Sequence, residues 1–134
     1  MKVVVPIVGE TNDEALSVAI KIARQQEMTL VAMLSRPVSE FDQESVDDEI
    51  DALCDRLDNE DIAYSTEVRL GEEDLGLAVA KVAADVEASL VVVSLAQPPT
   101  NGKLLLGSQI QRLLVGSPCS VLVVREKTLL EQGE

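Results

Sequence analysis

Apolar residues along the chain form short runs that are separated by stretches of helical periodicity. Three runs contain almost no polar alternation, namely KVVVPIV at 2–8, TLVAML at 29–34 and LVVVSL at 90–95. Such runs, rich in β-branched residues, predict strands that are covered on both faces, as in a parallel sheet. A fourth buried strand is predicted for VLVV at 121–124. The run IAYSTEVRL at 62–70 alternates instead, which predicts an edge strand with one wetter face.

Four stretches between these runs have the apolar spacing of amphipathic helices. The first follows a capping box at Thr11 and Glu14, whose side chains satisfy free N–H groups at a helix start. An acidic helix is predicted over 39–59, a third helix after Gly71, and a fourth from Ser108. The positions predicted to face the core are Ala15, Leu16, Ala19, Ile20, Ile22 and Ala23, then Val46, Ile50, Leu53, Cys54 and Leu57, then Leu75, Val79, Val82, Ala83 and Val86, and finally Ile110, Leu113 and Leu114.

Strands and helices therefore alternate along the chain, with five strands and four helices. This order predicts a single-domain α/β fold, a doubly wound parallel sheet with right-handed crossovers and helices on both faces. A chain of 134 residues is long enough for one such domain. Ligands of these sheets bind beyond the carboxyl ends of the strands, where the strand order reverses. We expect a ligand crevice between the loops after the first and fourth strands if those strands are neighbours.

The chain is strongly acidic, with a net charge of −13 at pH 7, and 11 of its 24 acidic residues lie between Glu40 and Asp61. Such a surface repels nucleic acid and anionic membranes, so we exclude both as partners. It fits either a salt-tolerant host or an ordinary acidic cytosolic protein. No run approaches the ~20 apolar residues of a membrane span. We therefore expect a cytoplasmic protein, with the acidic helix face as a solvated surface rather than a cation or partner site.

The residue types needed for common catalytic and metal sites are scarce. The chain has no histidine, which excludes the common nucleophile–histidine arrangements. Its two cysteines, Cys54 and Cys119, have neither the number nor the spacing of a disulfide framework or a zinc site. Both are predicted to be buried, as small hydrophobic residues. We therefore expect no enzymatic activity and no bound metal.

Gly107 and Ser108 stand where a polar loop passes into the fourth helix. Free N–H groups at such a helix start favour an anion, and Lys103 in the same loop has the charge to neutralise a phosphate. The same residues also fit a plain helix start, because serine is a good N-cap and a lysine can extend over the helix surface. From these residues alone, both interpretations stay open.

The whole chain resembles the universal stress protein family. The resemblance is carried by VVVPIVGETNDEALSVAIKIA near the start, by ASLVVVSLAQ, and above all by KLLLGSQIQRLLVGSPCSVLVVR. It implies an adenine-nucleotide α-hydrolase-like fold with strand order 3-2-1-4-5 over residues 1–125, followed by a tail over 126–134. It also implies a homodimer formed by antiparallel pairing of the last strand. The residues implied in that interface are Ser120, Val121, Leu122, Val123 and Val124.

ATP-binding members of the family carry a Gly, two residues, a second Gly, nine residues and then Gly-Ser or Gly-Thr, together with an Asp at the end of the first strand. Here Gly107 and Ser108 match the final pair. Ser94 and Gln97 stand at the other two glycine positions, and Val8 stands at the position of the Asp. Ser94 and Gln97 therefore place side chains where glycine would leave room for a ligand, and Val8 lacks the charged hydrogen-bond acceptor that an Asp would supply.

These departures favour a universal stress protein that acts in the stress response through dimerisation and protein contacts, without a bound cofactor. One alternative is a nucleotide-sensing switch that binds ATP or AMP in the crevice between the first and fourth strands. Another is a regulatory domain of a membrane transporter. For the switch, the candidate ligand residues are Lys103, Gly107, Ser108 and Pro6, the last of which matches a proline of the family.

Overall fold

The computed structural model describes residues 1–7, 13–36, 43–70, 75–95 and 108–125. The five strands form one sheet in the order β3-β2-β1-β4-β5, and every neighbouring pair is parallel. The predicted fold class and strand order are therefore confirmed. The elements are β1 (Lys2–Ile7), α1 (Asp13–Gln26), β2 (Thr29–Arg36), α2 (Gln43–Asp58), β3 (Tyr64–Leu70), α3 (Leu75–Asp85), β4 (Leu90–Leu95), α4 (Ser108–Gly116) and β5 (Ser120–Arg125).

The sheet has a separate apolar layer on each face. Val3, Val5 and Leu30 pack with α1 and α2 on one face, whereas Val4 and Val31 pack with α3 and α4 on the other. All five side chains are completely buried. Successive side chains of a strand point to opposite faces, so a central strand between two helical layers needs apolar residues at every position. This requirement explains why the strand runs have so little polar alternation.

Two helices end on an acidic residue in the left-handed backbone conformation. Glu27 follows α1 with φ of 55°, and Glu87 follows α3 with φ of 56°. After α1, the N–H of Met28 donates to the carbonyl of Ala23 at 2.9 Å, and α3 ends with the corresponding bond. This is a Schellman ending, for which glycine is the usual residue. Met28 is buried beside Ala23, so an apolar contact after the turn stabilises the helix end although no glycine is present.

Several strand boundaries differ from the predicted ones, and β5 extends one residue beyond the predicted 121–124 at each end. β2 continues to Arg36, two residues beyond the predicted end, because the residue before a proline favours extended backbone. β3 begins at Tyr64 rather than at Ile62. The capping residue Thr11, the predicted helix residues 39–42, and the tail over 126–134 lie outside the described residues.

Several side chains are more exposed than predicted. Cys54 of α2 and Cys119, in the turn before β5, are only partly buried. Leu114 was predicted to face the core, but 44% of its surface is exposed. The strand predicted as buried at 121–124 is partly exposed throughout, since β5 is at the edge of the sheet.

Candidate functional site

β1 and β4 are neighbours at the centre of the sheet, where the strand order reverses. The chain leaves β1 toward β2 on one side and leaves β4 toward β5 on the other side. Crevices of doubly wound sheets form where connections diverge in this way. The condition for the predicted crevice, that the first and fourth strands are adjacent, is met.

The described pairing of β1 with β4 ends at Val4, two residues before Pro6. β1 pairs with β2 over six positions, but with β4 over two, Val3–Leu90 and Val4–Val91. Proline has no N–H to donate to a neighbouring strand and is rare in central strands. Within the described parts of the two strands, their pairing ends before Pro6, on the side toward the carboxyl ends. A proline inside a run that otherwise predicts a central strand is a sequence signal for this early end of the pairing.

The described residues at the carboxyl ends of β1 and β4, where the crevice is predicted, are mostly apolar. Pro6 is buried, and Ile7 and Ser94 are partly exposed. Continuing the β1–β4 register places Ser94 opposite Ile7. Ser94 therefore lies beside the predicted crevice, at one of the positions where ATP-binding members of the family have a glycine.

The structure leaves the phosphate-binding half of the predicted site untested. Ser108 is the first residue of α4, as predicted, but its side chain is not among those described. Lys103 and Gly107 lie outside the described residues, as do Val8 and Gln97. The predicted ligand set of Pro6, Lys103, Gly107 and Ser108 remains a prediction.

β5 forms one free edge of the sheet. It pairs with β4 over all six of its positions. Val121 and Val123 lie against the α3 and α4 layer, and Val124 lies against the α1 and α2 layer. Leu122 is 38% exposed, and Ser120 is also exposed. The five residues predicted for the dimer interface therefore lie together on one accessible strand.

The opposite edge of the sheet, β3, carries charged side chains. Arg69 forms an ion pair with Glu67 of the same strand at 2.9 Å, and a longer one with Asp85 of α3 at 3.5 Å. The Tyr64 hydroxyl donates a hydrogen bond to the carboxylate of Asp58, at the end of α2. Because that carboxylate favours the protonated hydroxyl, the pKa of Tyr64 is raised well above its ordinary value. Acidic α2 is thus attached to the β3 side of the molecule.

The described residues contain no arrangement suited to metal binding. No group of three or more His, Cys, Asp and Glu side chains among them is placed to hold a metal ion.

The Ser117 hydroxyl, which lies near Cys119, donates to the Cys119 carbonyl at 2.9 Å and accepts from its N–H at 3.2 Å. This hydroxyl therefore shapes the turn before β5.

In the part of the chain that the structure describes, no helix has the length and hydropathy to cross a membrane.

The universal stress protein family model matches residues 1–125. The chain belongs to the universal stress protein family. Among solved structures of the family, one in complex with cAMP is 23% identical, over 95% of this chain and 98% of that chain, with a TM-score of 0.75. A universal stress protein from Archaeoglobus fulgidus is 18% identical, over 92% and 93%, with a TM-score of 0.74. No curated protein sequence matches the chain.

A third related structure is the Archaeoglobus fulgidus universal stress protein in complex with dAMP. It is 16% identical, covers 92% of this chain and 97% of that chain, and has a TM-score of 0.69. At these identities the comparison establishes the shared fold of the family. The bound cAMP and dAMP are features of those two related structures.

Proposed function

We propose that this universal stress protein acts in the stress response as a cytoplasmic homodimer that makes contacts with other proteins and catalyses no reaction of its own. The observation that carries the proposal is the free, apolar edge of β5. An unpaired edge strand presents a row of N–H and C=O groups on which a further strand can pair. Residues 120–124 contain neither lysine nor proline, the residues that commonly block such pairing.

Pairing of two β5 strands about a two-fold axis would give a closed dimer, because the same surface of each copy meets itself. The energy of the strand contact alone is modest. β5 has six residues, so antiparallel pairing supplies about six backbone hydrogen bonds, each worth a net ~0.5–1.5 kcal/mol. Association itself costs about 4–15 kcal/mol. A stable dimer therefore needs apolar contacts in addition to the strand pairing.

Sedimentation equilibrium of the full chain between about 1 and 100 μM tests the proposal, since dimers in this concentration range correspond to common affinities. We expect a mass of twice the 14.4 kDa of one chain. A single-chain mass at the highest concentration would contradict the proposal.

Nucleotide sensing is a second candidate function, favoured by the early end of the β1–β4 pairing before Pro6. Two proteins of the family were solved with cAMP and with dAMP. Against this function, Val8 replaces a carboxylate and Ser94 replaces a glycine. Loss of one charged acceptor costs about 1.5–3 kcal/mol, or about 10- to 100-fold in affinity.

Calorimetric titration with ATP, AMP and cAMP in the presence of Mg²⁺ separates the two functions. The dimer proposal expects no binding tighter than ~100 μM. The matched variant carries Val8→Asp and Ser94→Gly, which restore two features of the ATP-binding members, and we expect it to bind more tightly than the natural chain. Tight binding by the natural chain would instead establish the nucleotide switch.

A further inference from the structure

Two aliphatic side chains are exposed on the outer surface of the layer that α3 and α4 form. Leu77 of α3 is 48% exposed, and Val115 of α4 is 89% exposed. Two residues away in each helix, Val79 and Leu113 are buried against the sheet. Each helix therefore carries an apolar side chain on the surface that is turned away from the core.

α3 and α4 approach each other closely at two small residues. A β-carbon placed on Gly116 would lie 3.9 Å from that of Ala80. Both helices connect parallel strands of the same sheet, so they run in the same direction. Leu77 is three residues before Ala80, and Val115 is one residue before Gly116. The two exposed side chains therefore lie within about one helical turn of each other along the helix axes.

Helix geometry also turns both side chains toward the line of contact between α3 and α4. Successive residues are about 100° apart around a helix axis. Leu77 is therefore about 160° from buried Val79, on the same side of α3 as Ala80. Val115 has the same relation to the buried face of α4 and to Gly116. We call Leu77, Ala80, Val115 and Gly116 the α3–α4 seam.

Two cationic side chains border the α3–α4 seam. Lys81 follows Leu77 by one turn of α3, and Arg112 precedes Gly116 by one turn of α4. Both cationic residues are exposed. The seam therefore combines an apolar centre with a positively charged border, in a chain whose net charge is −13.

The described acidic side chains of this part of the molecule lie away from the seam. Asp85 of α3 forms an ion pair with Arg69 of β3, on the side away from α4. Glu87 lies about 10 Å beyond Ala80 along the axis of α3. Residues 89–125 contain no Asp or Glu. The acidic helix α2 is on the other face of the sheet, so more than one helix diameter of ~10 Å, and thus more than the ~8 Å Debye length, separates it from the seam.

A second copy of this chain does not fit the seam. Two seams in contact would bring two pairs of cationic side chains together, which opposes association. The acidic helix of a second copy, α2, has no apolar face to offer, because its Leu53 and Leu57 are buried in the core layer of their own copy. The charge of the seam thus favours a different protein.

An amphipathic helix with acidic flanks matches the seam in both shape and charge. Two packed helices form a groove between them, and the side chains of a third helix pack into such grooves. The aliphatic side chains of the third helix would cover Leu77 and Val115. Its Asp and Glu side chains would approach Lys81 and Arg112, and opposite charges across an interface select the partner.

We propose that the α3–α4 seam docks an acidic amphipathic helix of another protein. The inference rests on the part of the proposed function that assigns contacts with other proteins, and it names the chemistry of the partner. It does not need the dimer contact. α4 has α3 on one side and β5 on the other, so a β5-paired dimer leaves the seam uncovered.

Fluorescence anisotropy of a labelled peptide, titrated with the full chain, tests the inference. The probe is a synthetic helix of about 18 residues made of Glu, Ala and Leu, with a leucine at every third or fourth position. A comparison peptide has Lys in place of every Glu. We expect the acidic peptide to bind with a dissociation constant below ~100 μM at low salt. In 1 M NaCl this binding should weaken at least ~3-fold, because salt screens the ionic contacts.

The apolar contacts are tested by a double variant, Leu77→Gln with Val115→Gln. We expect it to raise the dissociation constant of the acidic peptide at least ~10-fold, because the peptide can then bury less apolar surface. Leu114→Gln is the matched control, since this leucine is similarly exposed but lies on the other flank of α4. It should change the constant less than ~2-fold.

The ionic contacts are tested by Arg112→Glu. We expect it to raise the dissociation constant of the acidic peptide at least ~5-fold, because an attractive charge becomes a repulsive one. Lys21→Glu, at an exposed position of α1 on the other face of the sheet, makes the same change in net charge and is expected to have less than a ~2-fold effect. Circular dichroism establishes that every variant keeps the helical content of the natural chain.

Three results would overturn the inference. They are a dissociation constant of the acidic peptide above ~1 mM, equal weakening by the seam variants and their controls, and equal weakening of the Lys peptide by the seam variants. Each of them leaves the homodimer standing, because sedimentation measures it separately. A chain that sediments as a monomer and binds the acidic peptide through the seam would contradict the proposed dimer and support this inference.

Discussion

The two edge strands of the sheet, β3 and β5, offer very different surfaces to another chain. β3 carries Glu67 and Arg69, which form an ion pair, and Arg69 also reaches Asp85. β5 carries valines and the partly exposed Leu122 over 121–124, and its one charged residue, Arg125, is at its end. Charged side chains on an edge strand oppose its pairing with a further strand, whereas an apolar edge permits it.

This difference has a consequence for assembly. If both edges could pair, copies would add at either end of the sheet and form an open chain of molecules. Pairing restricted to one edge closes after two copies, because a two-fold contact uses the same surface twice. In the proposed dimer, the charges of β3 and of the α2 helix next to it would limit assembly to two copies, and the apolar edge of β5 would allow pairing.

The largest expected effect on the dimer dissociation constant comes from a charged residue on β5, since charged residues protect β3 from pairing. Leu122→Lys places a charge on the free edge and should raise the dimer dissociation constant ~100-fold or more, which corresponds to about 2.7 kcal/mol. Ser65→Lys, at an exposed position of β3, is the control and should leave the constant unchanged. Sedimentation equilibrium measures both. Equal dissociation by the two variants would show that the edges do not differ.

The converse experiment removes the protection from β3. A double variant with Glu67→Val and Arg69→Val makes that strand apolar, and we expect it to form species larger than a dimer as its concentration rises, because both edges can then pair. Light scattering at increasing concentration detects these species. The double variant combined with Leu122→Lys should stop at dimers, because only the β3 edge can then pair. If the β3 variant alone stays dimeric, the ion pairs are not what protects the edge.

A smaller effect is expected from the acidic surface beside β3. Exposed Asp51 on α2 has Asp47, Asp48 and Asp55 three or four positions away. Like charges at these spacings destabilise a helix by about 0.2–0.5 kcal/mol per pair, and opposite charges stabilise it by similar amounts. Asp51→Lys should therefore raise the free energy of unfolding by about 1–3 kcal/mol at low salt.

Urea denaturation at low ionic strength measures this gain. The same titration in 1 M NaCl is the control, because salt screens exposed charges and should remove most of the difference. The dimer dissociation constant should be unaffected, since α2 is far from β5. A gain that persists in 1 M NaCl would indicate a cause other than charge.

The smallest effect concerns the hydrogen bond that joins β3 to α2. The Asp58 carboxylate raises the pKa of the Tyr64 hydroxyl in the folded state above its ordinary value of about 10. A raised pKa stabilises the fold below pH ~10, and this contribution is lost as the pH rises toward the folded-state value. Tyr64→Phe has no such group. The stability difference between the natural chain and this variant should therefore decrease from pH 9 to pH 11.

Thermal unfolding of both chains at several pH values between 8 and 11 checks this prediction, because other groups that titrate in this range are common to the two chains. Parallel pH profiles would contradict it. They would mean that the hydroxyl does not keep its bond to Asp58 in solution.

Much of the fold was predictable from the sequence, because the strand runs and helix spacings agree with each other. Less of the candidate site was predictable. Pro6 was correctly placed in the first strand, but its relation to the early end of the β1–β4 pairing required the register of three strands. Helix ends at Glu27 and Glu87 were also not predictable as Schellman turns, since the residue that usually marks them, glycine, is absent.

The sequence by itself determined the class of the fold. A strand between two helical layers must be apolar on both faces, and the sequences of β1, β2 and β4 are accordingly almost continuous apolar runs. Only the tertiary structure decided which of two adjacent leucines is buried. Leu113 and Leu114 are chemically identical, and they differ by a rotation of about 100° around the axis of α4. That rotation decides which leucine is buried only because α3 packs on one side of α4 and the free edge of β5 lies on the other.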